Sequence, residues 1–195
     1  CTAANRFIVH ASVVEAFADR ITERVSAMAL GRGTEPGVEI GPLIDEKAVA
    51  KASELVADAV RRGATVRTGG AAPEGEGTFY EPTVLVDVPA SADIMREEIF
   101  GPVLAIASFT SEAEAVRLAN DTEYGLVSYV FTQDLARGYR MIDLLETGMM
   151  GLNVGVVSNA AAPFGGVKQS GVGREGGAEG IHEYLSTKYT LIPVD

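Results

Sequence analysis

Three short stretches of the chain carry side chains that could do chemistry. At the amino end Cys1 precedes Thr2-Ala3-Ala4-Asn5-Arg6. A thiolate there would attack a carbonyl carbon, which needs a lowered pKa and an accessible carbonyl partner. Read alone, a single cysteine is more often a small buried hydrophobe, and nothing local decides between the two. The second stretch is Met95-Arg96-Glu97-Glu98-Ile99-Phe100-Gly101-Pro102. Adjacent acids are usually a solvated face, yet Glu98-Ile99-Phe100 offers a sugar hydroxyl an acceptor and a flat ring an aromatic contact. The third is Gly171-Val172-Gly173-Arg174-Glu175-Gly176, which fits G-x-G-x-x-G. That fingerprint works only where a buried strand runs into the first glycine and an acid stands about 20 residues on. Here Gly165-Gly166-Val167-Lys168-Gln169-Ser170 precede it, and Leu191 and Ile192 occupy the acid's place. These glycines therefore read as a tight turn that lets backbones approach closely. The paired acids are not spaced as in a glycosidase, and no Gly-x-Ser-x-Gly elbow occurs, because the stretch around Ser170 lacks its first glycine.

Composition narrows the classes. The chain has 195 residues, 47% of them hydrophobic, enough for one domain with a sizeable core. With 16 Lys and Arg against 27 Asp and Glu, the formal charge is -11, which works against binding a phosphate backbone. Nucleic acid is not an expected partner, and neither is a membrane, since no run of about 18 apolar residues or signal-peptide layout occurs. One cysteine with only His10 and His182 beside it builds neither an internal disulfide nor a Cys/His zinc cluster. A reducing, cytoplasmic setting is expected. Cys1 stands where an initiator methionine would, so the natural protein is expected to extend upstream.

The elements that must position these side chains alternate. A strand is expected over 4–10, then a capping box Ser12-Val13-Val14-Glu15 opening a helix whose face is Val14, Phe17, Ile21, Val25 and Met28, down to about Leu30. Asp45 caps a second helix with apolar positions Ala48, Ala52, Leu55, Val56 and Ala59 and a stop at Gly63. Strands are expected at 65–67, 83–88 and 103–107. Ser111-Glu112-Ala113-Glu114 opens a helix ending near Asn120. Beyond it come a strand at 126–131, a helix at 134–145 and a strand at 149–154. This order predicts an α/β fold, a mostly parallel sheet with helices on both faces. A short helix and a last strand over Tyr184 to Val194 close the chain, and an unpaired end strand commonly finds a neighbouring subunit, so a homo-oligomer is expected.

Taken together, CTAANR at the start, IGPLID at 40–45, EEIFGP at 97–102, LAN at 118–120, YGL at 124–126 and PFGGVKQSGVGREGG at 163–177 resemble the aldehyde dehydrogenase superfamily, in order and in spacing. The resemblance covers essentially the whole chain. Its succinate-semialdehyde dehydrogenase branch is the most similar, through IGPLIDEKAV at 40–49 and Asn153-Val154-Gly155-Val156-Val157-Ser158-Asn159.

The resemblance implies a catalytic half over 1–183, an oligomerisation strand or tail over 184–195, and an NAD(P)-binding half upstream and absent from this chain. It implies that Cys1 is the nucleophile, that Glu98 holds the nicotinamide ribose, and that Phe100 lies beside the nicotinamide ring. Ser158 falls where that branch places a hydroxyl on the substrate's distal carboxylate; read alone it is an ordinary loop serine. The general base, the oxyanion-hole asparagine and the carboxylate-binding arginines would lie upstream. Ala3 stands where some relatives carry a second cysteine, so their disulfide switch is expected to be missing. The implied activity is NAD- or NADP-dependent oxidation of succinate semialdehyde to succinate through a cysteine thiohemiacetal and thioester, and the isolated 195 residues are expected to be inactive. The alternatives are a dehydrogenase of glutarate semialdehyde or of an uncharged aldehyde, or a non-catalytic assembly module, which would lose nothing on alkylation of Cys1.

Overall fold

A computed structural model describes residues 2–193. They divide into two compact units, Ala3–Ala119 and a second comprising Thr2 and the residues from Asn120 onward. In the first, β1 (Arg6–His10), β2 (Thr65–Thr68), β3 (Thr83–Val86) and β4 (Val103–Phe109) form a four-stranded sheet in the order β1-β4-β3-β2. β4 runs parallel to both β1 and β3, while β2 pairs antiparallel with β3. The expected mostly parallel α/β sheet is present.

The two-residue period of the strands explains how both faces are covered. Val84, Val86 and Ile106 point to one face and pack against Ala18 and Val25 of α1 (Val14–Ser26). Leu85, Ala105 and Ala107 point to the other, against Ala52, Leu55, Val56 and Ala59 of α2 (Glu46–Arg61). α3 (Glu112–Asn120) follows β4, and Arg6 donates to the carbonyls of Leu118 and Ala119, both at 2.9 Å, closing off its end.

Helix starts follow the sequence in two of three expected places. The Asp45 side chain accepts from Ala48 N at 2.8 Å, and at α3 the Ser111 hydroxyl accepts from Glu114 N at 3.3 Å. The Glu114 carboxylate reaches back to Thr110 instead of Ser111, which holds its pKa below the ordinary glutamate value. At α1 the capping box does not form. Val13 occupies the cap without a side-chain bond, and Ser12 is engaged by His10, whose Nδ1 lies 2.8 Å from the hydroxyl. The helix stops at Ser26 short of Leu30, because Leu30 leaves to pair with Ile40.

The second unit holds two small sheets where a continuation of one sheet was expected. β6 (Val127–Val130) and β7 (Met149–Leu152) pair in parallel across α4 (Leu135–Leu144), whose N-terminus Asp134 caps through Arg137 N at 3.1 Å. β5 (Tyr124–Gly125) pairs antiparallel with β8 (Val167–Lys168). The expected short helix is a 3-10 turn, Glu179–Tyr184. Residues 185–193 join no sheet and are exposed, and Val194 lies outside the described residues.

Asp58 is the buried charge of the first unit. Its carboxylate accepts from Arg62 Nε at 2.8 Å and from Asp93 N at 2.9 Å, tying α2 to the 3-10 turn Asp93–Met95. The Asp93 amide first, then the Arg62 guanidinium, hold its pKa below the ordinary aspartate value. A depressed folded-state pKa adds stability that is present above the unfolded value and lost as pH falls through the folded one. Asp58→Asn is therefore expected to lower Tm at pH 7, with the deficit shrinking below about pH 4, as followed by thermal melts across that range.

Candidate active site

Glu98 and Phe100 lie together on the loop that links the 3-10 turn Asp93–Met95 to β4. Ala92, Ile94 and Met95 are buried and anchor the start of the loop in the core shared with α2. Arg96, Glu97 and Glu98 then emerge into solvent, Ile99 returns to the core at 3% exposure, and Phe100 emerges again at 66%. The in-out alternation aims Glu98 and Phe100 outward around one buried anchor. Among the described residues the Glu98 carboxylate has no hydrogen-bond or ion-pair partner. Pro102 O accepts from Thr83 N and Gly101 O from Val103 N, both at 2.8 Å, which fixes the exit.

Phe100 adopts φ +51°, the left-handed region that a bulky side chain avoids at a cost of about 1–2 kcal/mol. The surrounding bonds must hold this conformation, and an exposed ring gains little packing in return. The pair presents a free carboxylate that can accept from hydroxyl groups and an uncovered apolar ring that can meet a flat ring system.

Ser158 lies in the second unit, exposed, on the loop after β7. Asn153 pins the loop's start: at φ +56° it leaves the strand, while its side chain accepts from Thr132 N and donates to Thr132 O, both at 2.9 Å. Directly after Ser158, the Asn159 side chain accepts from Ala161 N at 2.9 Å and turns the chain. The loop ends in a two-way pairing of Phe164 with Glu175 at 2.7 and 2.8 Å. A cavity of about 640 Å3 in this unit is lined by residues 131–135, 152 and 153, not by Ser158. Cys1 lies outside the described residues. The carbonyl of the next residue, Thr2, accepts from the Tyr129 hydroxyl at 2.9 Å.

The glycine-rich fingerprint is a turn, as its context implies. Gly171, Gly173 and Gly176 all have positive φ (105°, 84° and 66°), β8 before them is a two-residue antiparallel strand, and among the described residues no α-helix follows. Arg174 crosses the turn to donate to Gly166 O at 2.8 Å and Gly173 O at 2.7 Å. Among the described residues no cluster of three or more His, Cys, Asp or Glu is placed to hold a metal, and no helix is long and apolar enough to cross a membrane. Sequence reasoning missed Asn5, Tyr129 and Asn153, polar residues next to or within apolar strands. That context was the available signal, because a buried or strand-edge amide or phenol needs a partner.

A model of the aldehyde dehydrogenase family matches residues 1–190. A succinate-semialdehyde dehydrogenase of Paenarthrobacter nicotinovorans is 52% identical over 97% of this chain and 42% of its own length. A glutarate-semialdehyde dehydrogenase of Pseudomonas aeruginosa is 50% identical over 98% of this chain and 40% of its own. The crystal structure of an NADP-dependent enzyme of Escherichia coli superposes with a TM-score of 0.96 at 48% identity, covering 100% of this chain and 40% of that one. The chain thus spans about two-fifths of the length of these relatives.

The alternation in the loop predicts opposite outcomes for adjacent substitutions. Ile99→Ala is expected to cost about 2–5 kcal/mol by leaving a core cavity. Phe100→Gly is expected to stay within about 1 kcal/mol of the parent, since relief of the left-handed strain offsets the entropy of the added glycine. Denaturant unfolding of both variants measures the difference.

Proposed function

The chain belongs to the aldehyde dehydrogenase family, and on that premise we propose that it is the catalytic portion of an NAD- or NADP-dependent enzyme that oxidises succinate semialdehyde to succinate. The observation that carries this reading is the pairing of Glu98 and Phe100, a free carboxylate and an uncovered ring fixed about one buried residue. The names of the relatives support the substrate class, and the NADP-dependent structure supports a nicotinamide cofactor.

Cys1 is the nucleophile. Its thiolate adds to the aldehyde carbon, and the resulting thiohemiacetal places negative charge on oxygen, where backbone N–H donors stabilise it. Glu98 and Phe100 would hold a nicotinamide, which would supply the acceptor for the hydride lost from this carbon as the thioester forms. Glu98 accepts hydrogen bonds from the ribose hydroxyls, and Phe100 limits where the ring can lie. Water then hydrolyses the Cys1 thioester, releasing the acid and the thiol. The Ser158 hydroxyl donates to the substrate's distal carboxylate, a charge-assisted contact that an uncharged aldehyde cannot make. The base that activates water and the nucleotide fold would come from parts of a whole enzyme outside these residues, and the exposed segment 185–193, which joins no sheet here, would become a strand on pairing with a second subunit.

Glutarate semialdehyde is the second reading, because a relative of nearly equal identity carries that name. One extra methylene changes binding by only about 1–3 kcal/mol in an apolar pocket, so the two substrates are separated by comparing their kcat/KM values on one preparation.

In the full-length protein, Ser158→Ala is expected to lower kcat/KM for succinate semialdehyde about ten- to hundredfold, by loss of a hydrogen bond to a charged group, while butyraldehyde oxidation is unchanged. An equal loss on both aldehydes would remove Ser158 from carboxylate recognition. Acid quenching during turnover, followed by peptide mass mapping, is expected to find the acyl group on Cys1, and Cys1→Ala is expected to abolish both adduct and product. Product formation without that cysteine would overturn the reading.

A further inference from the structure

The side chain that fixes the Glu98–Phe100 loop comes from the nucleophile's own segment. Asn5, four residues after Cys1, sits immediately before β1. Its amide nitrogen donates to Glu97 O at 2.9 Å and to Ile94 O at 3.3 Å, and its Oδ1 accepts from Ile99 N at 2.8 Å. One side chain therefore holds backbone groups on both sides of Glu98. It holds the residue immediately before Phe100 as well. These contacts join positions 89 to 94 apart in sequence.

We propose that Asn5 is a positioning residue for cofactor binding, a clamp that sets Glu98 and Phe100 in their outward conformation and couples that conformation to the strand leading away from Cys1. This rests on the assignment of Glu98 and Phe100 to the nicotinamide riboside. The chemistry requires an amide at position 5. A carboxylate would keep the bond from Ile99 N but lose both donors, and would set a negative charge against the carbonyls of Ile94 and Glu97. A short hydroxyl or methyl side chain would leave a loop carrying a left-handed Phe100 with fewer bonds to over-determine it. Part-buried backbone groups of Ile94 and Ile99 left without partners, together with a strained residue, favour an opened loop, so the effect reaches the cofactor before it reaches global stability.

The test uses the full-length enzyme with Asn5→Ala, Asn5→Asp and, as reference, Glu98→Gln. Cofactor KM and aldehyde KM are measured separately, with amide hydrogen exchange of the peptide spanning 94–100. For Asn5→Ala the expected result is a rise in cofactor KM of about tenfold or more with aldehyde KM unchanged, and faster exchange in that peptide without faster exchange in α1. Asn5→Asp is expected to fall between parent and Asn5→Ala on both readouts, and it serves if the alanine variant fails to fold. An unchanged cofactor KM in the folded Asn5 variants overturns the inference. If Glu98→Gln weakens cofactor binding in that case, only the clamp is wrong; if Glu98→Gln is silent too, the assignment beneath it has failed as well. Equal rises in both KM values, with exchange faster throughout the first unit, mark a general folding defect and also overturn it.

Discussion

The left-handed backbone at Phe100 is the constraint on which the rest of the first unit bears. An aromatic residue does not hold φ +51° unaided, and its exposed ring gains nothing from the core. The conformation persists because everything around it is fixed. Ile99 is sunk among the residues of α2, the loop's exit into β4 is bonded to Thr83, and Asn5 bonds the loop's backbone. The strained backbone leaves the Phe100 ring and the Glu98 carboxylate both turned to solvent on one loop.

The parallel core supplies the rigid body behind that loop. β3 and β4 carry buried side chains on both faces, so any slip of register would exchange the surfaces packed on α1 and α2. Asp58 extends the rigidity to the edge by binding the first amide of the 3-10 turn from which the loop departs. Asp58 binds the segment at one end and Asn5 in its middle, while Ile94, Met95 and Ile99 sink into the core, so the loop is tied at several points to the body behind it.

The fold was legible where local chemistry and tertiary packing agree. The apolar runs at 83–88 and 103–107 and the cap at Asp45 state their structures in short windows of sequence, although the first strand ends at Val86. The α1 start misled because a histidine two residues back competes for the serine that would have capped it. The division of the later strands into separate pairs was hidden, because strand partners are chosen at long range. The site was half legible. Glu98, Phe100 and Ser158 stand out through resemblance, and the structure sets the first two on a single loop. The contact of Asn5 with this loop was invisible, since nothing near it in sequence hints at a partner some ninety positions away.

In the proposed function the loop is preformed to receive a nicotinamide riboside. A crystal structure of the full-length protein with NAD or NADP tests this directly. The expected result is the Glu98 carboxylate within hydrogen-bond distance of the nicotinamide ribose hydroxyls and the Phe100 ring against the nicotinamide, with Phe100 still left-handed and Asn5 still bonded to Ile99 N. A nicotinamide ribose held by other residues, with Glu98 and Phe100 turned to solvent, would contradict it.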